Sequence, residues 1–329
     1  MAFDTPGFRE YLCHVEYHMQ TAPKAELTYN GKRVDTSPEA FGEQRDSRDL
    51  LHDPATLRLR AQEDGYLFLP GLLNRHEVLD AREEILRRLG GAGFLDPAFP
   101  VTEGIPAPMA KSLFLPQFAK ENAPLERVIF NGPMMVFYER LLGGRVRHFD
   151  FVWLRAKRPG IEDATPPHYD IVFMGRGTKR LFTSWTPLED VPMEKGGLMI
   201  LEGSHRLEEV KSTYGQLDVD TYCENKPEAR SIVTGEKMFE DRTNAGTYPI
   251  DALALPEKFG GRWLTADFRA GDVLLFGMYT MHISTDNHSH GFRLSTDTRY
   301  QLASEPVDER WIGENPIAHG PAGKRGLIC

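Results

Sequence analysis

The chain has 329 residues, 40% of them hydrophobic, 26% charged and 10% aromatic, enough for a core that encloses a pocket. Its formal charge of −9 and isoelectric point near 5.7 exclude a general nucleic-acid binder, which needs a basic face. No apolar run reaches the length of about 18 residues that a membrane span needs, and Met1-Ala-Phe-Asp-Thr-Pro-Gly-Phe8 lacks the basic and apolar regions of a secretory leader. Cys13, Cys223 and Cys329 are few, odd in number and far apart, with no Cys-x-x-Cys pair. They predict a reducing compartment without a disulfide framework, hence a cytoplasmic protein. The sequence leaves a homo-oligomer open.

Residues 1–50 are polar and mixed, an arm packed on the body or on a partner subunit, and 51–329 read as one domain. Asp53-Pro54 opens a helix as N-cap and first helical residue. Gly65-Tyr-Leu-Phe-Leu-Pro70 reads as a short buried strand. Asn74 to Leu89 is an amphipathic helix, with Val78, Ala81, Ile85 and Leu89 on one face, an Asn74/Glu77 capping start and a Gly90-Gly91 stop. Residues 92–125 form a long proline-containing loop, and 125–142 a helix ended by Gly143-Gly144.

From Arg147 the pattern turns to strands. Phe149, Phe151 and Trp153 interleave with Val152 and Leu154, as in a strand buried on both faces. Further strands are expected at 168–174, 181–188, 197–202, 272–276 and 292–300. Residues 206–260 are too long for a hairpin loop and predict a lid-like insertion.

Within Thr165-Pro-Pro-His168-Tyr-Asp170, residues i and i+2 of a strand share a face, so His168 and Asp170 converge while Tyr169 points away. One imidazole and one carboxylate are two corners of the 2-His-1-carboxylate set that binds Fe(II) and leaves adjacent positions open. The third ligand comes from the region after Gly271-Asp-Val-Leu-Leu-Phe276, where His282, His288 and His290 compete. His282 sits between apolar Met281 and Ile283, whereas His288 and His290 lie in a polar turn. Arg293 and Ser295 again stand at i and i+2, and a guanidinium facing a barrel interior needs an anion. Arg299 is the rival anion partner.

In order along the chain, Glu63-Asp-Gly-Tyr-Leu-Phe-Leu-Pro-Gly-Leu-Leu73, Pro166-Pro-His168-Tyr-Asp170, Ser184-Trp-Thr-Pro-Leu-Glu-Asp190, Gly196-Gly-Leu-Met-Ile-Leu-Glu-Gly-Ser-His205, Phe268-Arg-Ala-Gly-Asp-Val-Leu-Leu-Phe276 and Met281-His-Ile-Ser284 with Arg293-Leu-Ser295 resemble the phytanoyl-CoA dioxygenase family of Fe(II)/2-oxoglutarate oxygenases. The resemblance implies a mainly β fold with flanking α, a double-stranded β-helix (jelly roll, cupin-like) with N-terminal helices. It implies His168, Asp170 and His282 as iron ligands, since this family sets its 2-oxoglutarate arginine 11 residues after the distal histidine, the spacing of Arg293 from His282. Ser284, Trp185 and Ser295 would lie by the cosubstrate, and Lys111 best matches the upstream lysine found near that pocket. His205 is read as closing a turn. Pro167 before the first ligand and the long 206–260 segment depart from the family pattern, both where substrate choice is set.

The implied reaction takes Fe(II), 2-oxoglutarate and O₂, releases succinate and CO₂, and hydroxylates an unactivated C–H of a small molecule. An aspartate at position 170 disfavours halogenation, because related halogenases carry a small residue there. Epoxidation, desaturation or ring formation could use the same centre. The competing readings are a jelly roll that binds metal or ligand without turnover, and a cupin-like metal-dependent isomerase or hydrolase that has no need of Arg293.

Overall fold

A computed structural model describes residues 26–227, 229–234 and 246–329. Most of the expected elements are present, and their ends follow local chemistry. The helix Pro54–Asp64 starts on Asp53, whose carboxylate accepts from the Ala55 and Thr56 amides. It stops at Gly65, held at φ 77, and a Cβ there would collide with the His205 ring. Arg75–Gly91 is capped by the Asn74 side chain. Instead of one helix over 125–142 there are two, Ala123–Ile129 and Gly132–Leu142. Gly132 takes a φ of 53 and Pro133 has no amide to donate, so the helical ladder breaks there. The 92–125 stretch carries a short strand, Leu113–Phe114, and a turn of helix, Pro116–Ala119.

Among the described residues two sheets face each other as a jelly roll. The seven-stranded sheet runs Tyr66–Leu69, Val273–Gly277, Phe182–Pro187, Arg293–Leu302, Trp153–Lys157 and Leu113–Phe114, and Val146–His148 also pairs with Arg293–Leu302. The expected strand from Arg147 is thus split in two around residues 149–152. The four-stranded sheet runs His282–Ser284, Leu198–Leu201, Trp263–Thr265 and Phe41–Glu43. The last of these belongs to the arm and joins in parallel to Trp263–Thr265. Asp286 pins the arm further by accepting from the Asn30 and Gly31 amides.

Alternation along each strand sorts side chains between three layers. Leu67, Leu69, Leu154, Val273, Leu275, Leu294 and Tyr300 point outward from the large sheet against Val78, Ile85, Leu89, Leu125 and Tyr138 of the helices. Phe68, Trp185, Leu198, Ile200, Leu264, Leu274 and Phe276 fill one part of the space between the sheets. Met199, Leu201, Trp263 and Ile283 leave the small sheet on its far side and meet Val210, Tyr214, Val219 and Leu255 of the 206–260 insertion. No helix among the described residues is long and apolar enough to cross a membrane.

The cysteine expectation is overturned. Cys223 of the insertion and Cys329 form a disulfide, beside the parallel pairing of Thr221–Cys223 with Arg325–Leu327. Strand pairing sets the two sulfurs together across a separation of 106 residues, which spacing in the sequence could not reveal. Cys13 lies outside the described residues. Closing so long a loop restricts the unfolded chain, so reduction or Cys329→Ser should cost about 2–4 kcal/mol. The check is the thermal midpoint with and without reductant, and an unchanged midpoint would contradict the bridge.

Candidate active site

The interior between the sheets changes character at one end, where polar side chains replace apolar ones. Pro166 and Pro167 keep the approach to His168 extended. His168 then makes a single antiparallel bridge with His282, and the two ring centroids stand 4.1 Å apart. His282 itself belongs to the strand His282–Ser284, laddered to Leu198–Leu201. The strand expected over 168–174 is not there. Asp170 already has helical backbone angles (φ −62, ψ −26) and begins the short helix Ile171–Met174. The convergence of His168 and Asp170 therefore comes from this turn and not from strand alternation.

Asp170 Oδ1 lies 3.7 Å from His168 Nε2 and 3.9 Å from His282 Nε2. Two bonds of ~2 Å span such a gap, so one ion fits between these three atoms. Asp170 and His282 are buried, and the His168 side chain is only 12% exposed. The ring tautomers are set from behind. His168 Nδ1 is 2.8 Å from Pro166 O and His282 Nδ1 is 3.0 Å from Thr280 O. A carbonyl only accepts, so each Nδ1 carries the proton and each Nε2 presents a lone pair. Burial holds both imidazoles neutral, His168 down to about 3. Asp170 is divided between its oxygens. Oδ2 accepts from Thr183 Oγ1 and, at 3.1 Å, from Arg299 Nη2, while Oδ1 faces the histidines. Burial pushes this carboxyl up, but Arg299, both imidazoles and Thr183 outweigh it and hold it well below the usual carboxylate range. His288 is elsewhere, against Thr28 Oγ1, and His205 contacts Gln62 O in its turn.

On the strand Arg293–Leu302 the inward set is Arg293, Ser295, Asp297 and Arg299, all buried. Arg293 donates to Ser295 Oγ, its Nε has no partner, and among the described residues no carboxylate lies within ion-pair distance. Burial lowers its affinity for the proton to about 10. Its Cζ is 5.8 Å from the Trp185 ring, which also packs edge-on to Phe268 at 4.7 Å, so Trp185 serves core and pocket together. Ser284 Oγ accepts from Lys157 Nζ at 3.0 Å and from the Thr165 amide at 2.9 Å.

Lys111 is not part of this cluster. It is exposed on the loop before Leu113–Phe114. The lysine in the pocket is Lys157, 4% exposed, which the residue pattern could have flagged: Trp153-x-Arg155-x-Lys157 puts two cations on the inward face of an otherwise apolar strand. Burial, with Arg293 nearby, brings Lys157 down to about 7. Arg155 pairs with Asp297 at 2.9 Å, and Arg299 turns out to hold Asp170 rather than compete with Arg293.

The family model described as phytanoyl-CoA dioxygenase matches residues 61–295. The chain belongs to this family. It is an Fe(II)/2-oxoglutarate-dependent dioxygenase that uses O₂. A 1-deoxypentalenic acid 11-beta-hydroxylase of Streptomyces exfoliatus is 28% identical over 274 residues, covering 79% of this chain and 85% of its own length. Its namesake from Streptomyces arenae is 26% identical, covering 81% and 87%. Among solved structures, the carbocyclase SnoK of nogalamycin biosynthesis matches with a TM-score of 0.54 at 19% identity, covering 80% of this chain and 90% of its own. The epimerase SnoN, in complex with Fe3+, alpha ketoglutarate and nogalamycin RO, reaches 0.52 at 22%, covering 80% and 93%. These two establish likeness of fold.

Lys157 gives a pH signature. Its proton leaves near pH 7 in the folded protein and near 10.5 in the unfolded one, so the destabilisation from its burial fades as pH rises between those values. A dianion arriving beside Arg293 and Lys157 should restore the ammonium. Calorimetry of 2-oxoglutarate binding to the metal-loaded protein should show proton uptake at pH 8 but little at pH 6, and none in Lys157→Met. Uptake unaltered by that substitution would place the titrating group elsewhere.

Proposed function

We propose that His168, Asp170 through Oδ1, and His282 hold the iron, and that Arg293 receives the distal carboxylate of 2-oxoglutarate. Ser295 fixes the Arg293 fork, and Lys157 and Ser284 lie beside it. The observation that carries this reading is the buried, ion-pair-free guanidinium next to a His/Asp/His cluster. A charge so placed is costly unless an anion arrives. Arg293 is held to Ser295, and the ring of Trp185 covers it. It is thus preorganised to accept a carboxylate with little reorganisation.

When bound, the iron and cosubstrate supply an O₂-derived oxidant strong enough to break an unactivated C–H, with succinate and CO₂ as by-products. The protein's part is positioning. Pro166 O and Thr280 O keep both Nε2 atoms free of protons, Thr183 and Arg299 aim Asp170 Oδ1, and the aromatic side chains around His168 exclude water. We assign as substrate a compact, largely apolar organic molecule, hydroxylated at one carbon. The hydroxylase relatives act on 1-deoxypentalenic acid, and the ring cluster beside the triad suits an apolar skeleton. The described part of 51–329 works as one jelly-roll domain; residues 1–25, 228 and 235–245, which belong to the expected arm and lid, lie outside the described residues. Residues 41–43 supply an edge strand of the small sheet, so this part of the arm joins the domain, and the insertion packs on that sheet's far side.

Succinate formed from 2-oxoglutarate under Fe(II) and O₂ is the assay. His168→Ala, Asp170→Ala and His282→Ala should each lower it by more than about 100-fold, the upper scale even for partners of metal ligands. Arg293→Ala should raise the KM for 2-oxoglutarate by about 10–100-fold, the worth of one charge-assisted hydrogen bond. Unchanged kinetics in Arg293→Ala would sink the cosubstrate assignment and favour metal chemistry without 2-oxoglutarate.

A further inference from the structure

The inward face of the pocket carries more donors than the iron and cosubstrate consume. Arg299 is 3% exposed and gives one N–H to Asp170. Its Nε and Nη1 are buried with no partner among the described residues. Its guanidinium lies 3.9 Å over the face of Trp153, which fixes its plane. The Trp153 ring is 4.8 Å from that of Trp311, whose indole Nε1, fully buried, is a third donor without a partner. A wall of rings continues from there to the metal triad: Trp311 meets His319 at 4.8 Å, His319 meets Phe173 at 6.0 Å, and Phe173 meets His168 at 5.4 Å.

Holding Asp170 explains one of these N–H groups and no more. Burying unsatisfied donors is costly, and Arg299 leaves two of them beside a third on Trp311.

We propose that Arg299, backed by the Trp153–Trp311 wall, is the receptor for a carboxylate on the substrate. The enzyme's substrate is then an apolar organic acid whose acid end is held on the Asp170 side of the iron. This rests on the iron and 2-oxoglutarate reading and adds the substrate class and the residue that selects it. Arg299 thereby links two events: the group that binds the acid also grips the metal ligand, so an acid seated there is registered against the iron.

The test uses the full-length protein loaded anaerobically with Fe(II) and 2-oxoglutarate, whose charge-transfer absorption reports the intact centre. Two rigid probes of nearly equal shape, 1-adamantanecarboxylate and 1-adamantanecarboxamide, are titrated in, with quenching of tryptophan fluorescence as the readout. The carboxylate should bind at least tenfold more tightly than the amide. Arg299→Lys, which keeps a cation near Asp170 but not the planar fork, should erase that preference while the charge-transfer band remains. Trp311→Phe, which keeps the ring wall and removes one donor, should weaken the carboxylate several-fold and leave the amide unchanged. Equal binding of the two probes, no binding of either, or a preference that survives Arg299→Lys would overturn the proposal. So would loss of preference only together with the band, since Arg299 would then act through Asp170 alone. A wild-type protein that forms no band would instead bring down the iron and cosubstrate reading beneath it.

Discussion

The two oxygens of Asp170 are not equivalent, and the rest of the site follows from that. Thr183 and Arg299 both take Oδ2, so Oδ1 is left to face the two Nε2 atoms. A carboxylate free to rotate could present either oxygen, or both, to an ion. Here its rotation is fixed by a hydroxyl on one strand and a guanidinium on the next, paired residue for residue as Thr183 with Arg299. The histidines are held by the same logic from the opposite side, each through a backbone carbonyl. The outcome is three donors converging on one point with their protonation states decided before any ion arrives.

One strand carries most of the cost. Arg293 to Leu302 points Leu294 and Tyr300 into the helix layer and Arg293, Ser295, Asp297 and Arg299 into the pocket. Its outer face stabilises the fold by apolar burial, while its inner face buries charge that the fold alone does not satisfy. Two of the pocket's cations have carboxylate partners, Arg155 with Asp297 and Arg299 with Asp170, whereas Arg293 has none among the described residues. A stability loss at such positions is the expected companion of a binding site. The N-terminal helices are what make it tolerable, since they seal the outer face of the same strand.

Much of this was legible in the sequence, for identifiable reasons. The capped helices over 54–64 and 75–91 and the apolar strands announced themselves because capping, glycine stops and alternation are local signals. The triad and Arg293 were legible because an ordered series of motifs tied them together, each member being weak alone. Other features were set by tertiary contact. The turn at Asp170 looks like continued strand, because Ile171-Val-Phe-Met174 is as apolar as a strand, and only packing makes it a helix. Lys111 follows only from its place upstream of the barrel strands, whereas alternation on Trp153–Lys157 marks Lys157 as the inward lysine. The Cys223–Cys329 bridge depends on a parallel pairing of two distant short strands that no spacing rule encodes.

The most direct measurement is X-ray absorption at the iron edge of the protein loaded anaerobically with one equivalent of Fe(II) and 2-oxoglutarate. The geometry calls for two imidazole nitrogens among otherwise oxygen ligands at ~2 Å, and no sulfur. A single imidazole, a sulfur ligand, or a spectrum unaltered in Asp170→Ala would contradict the triad.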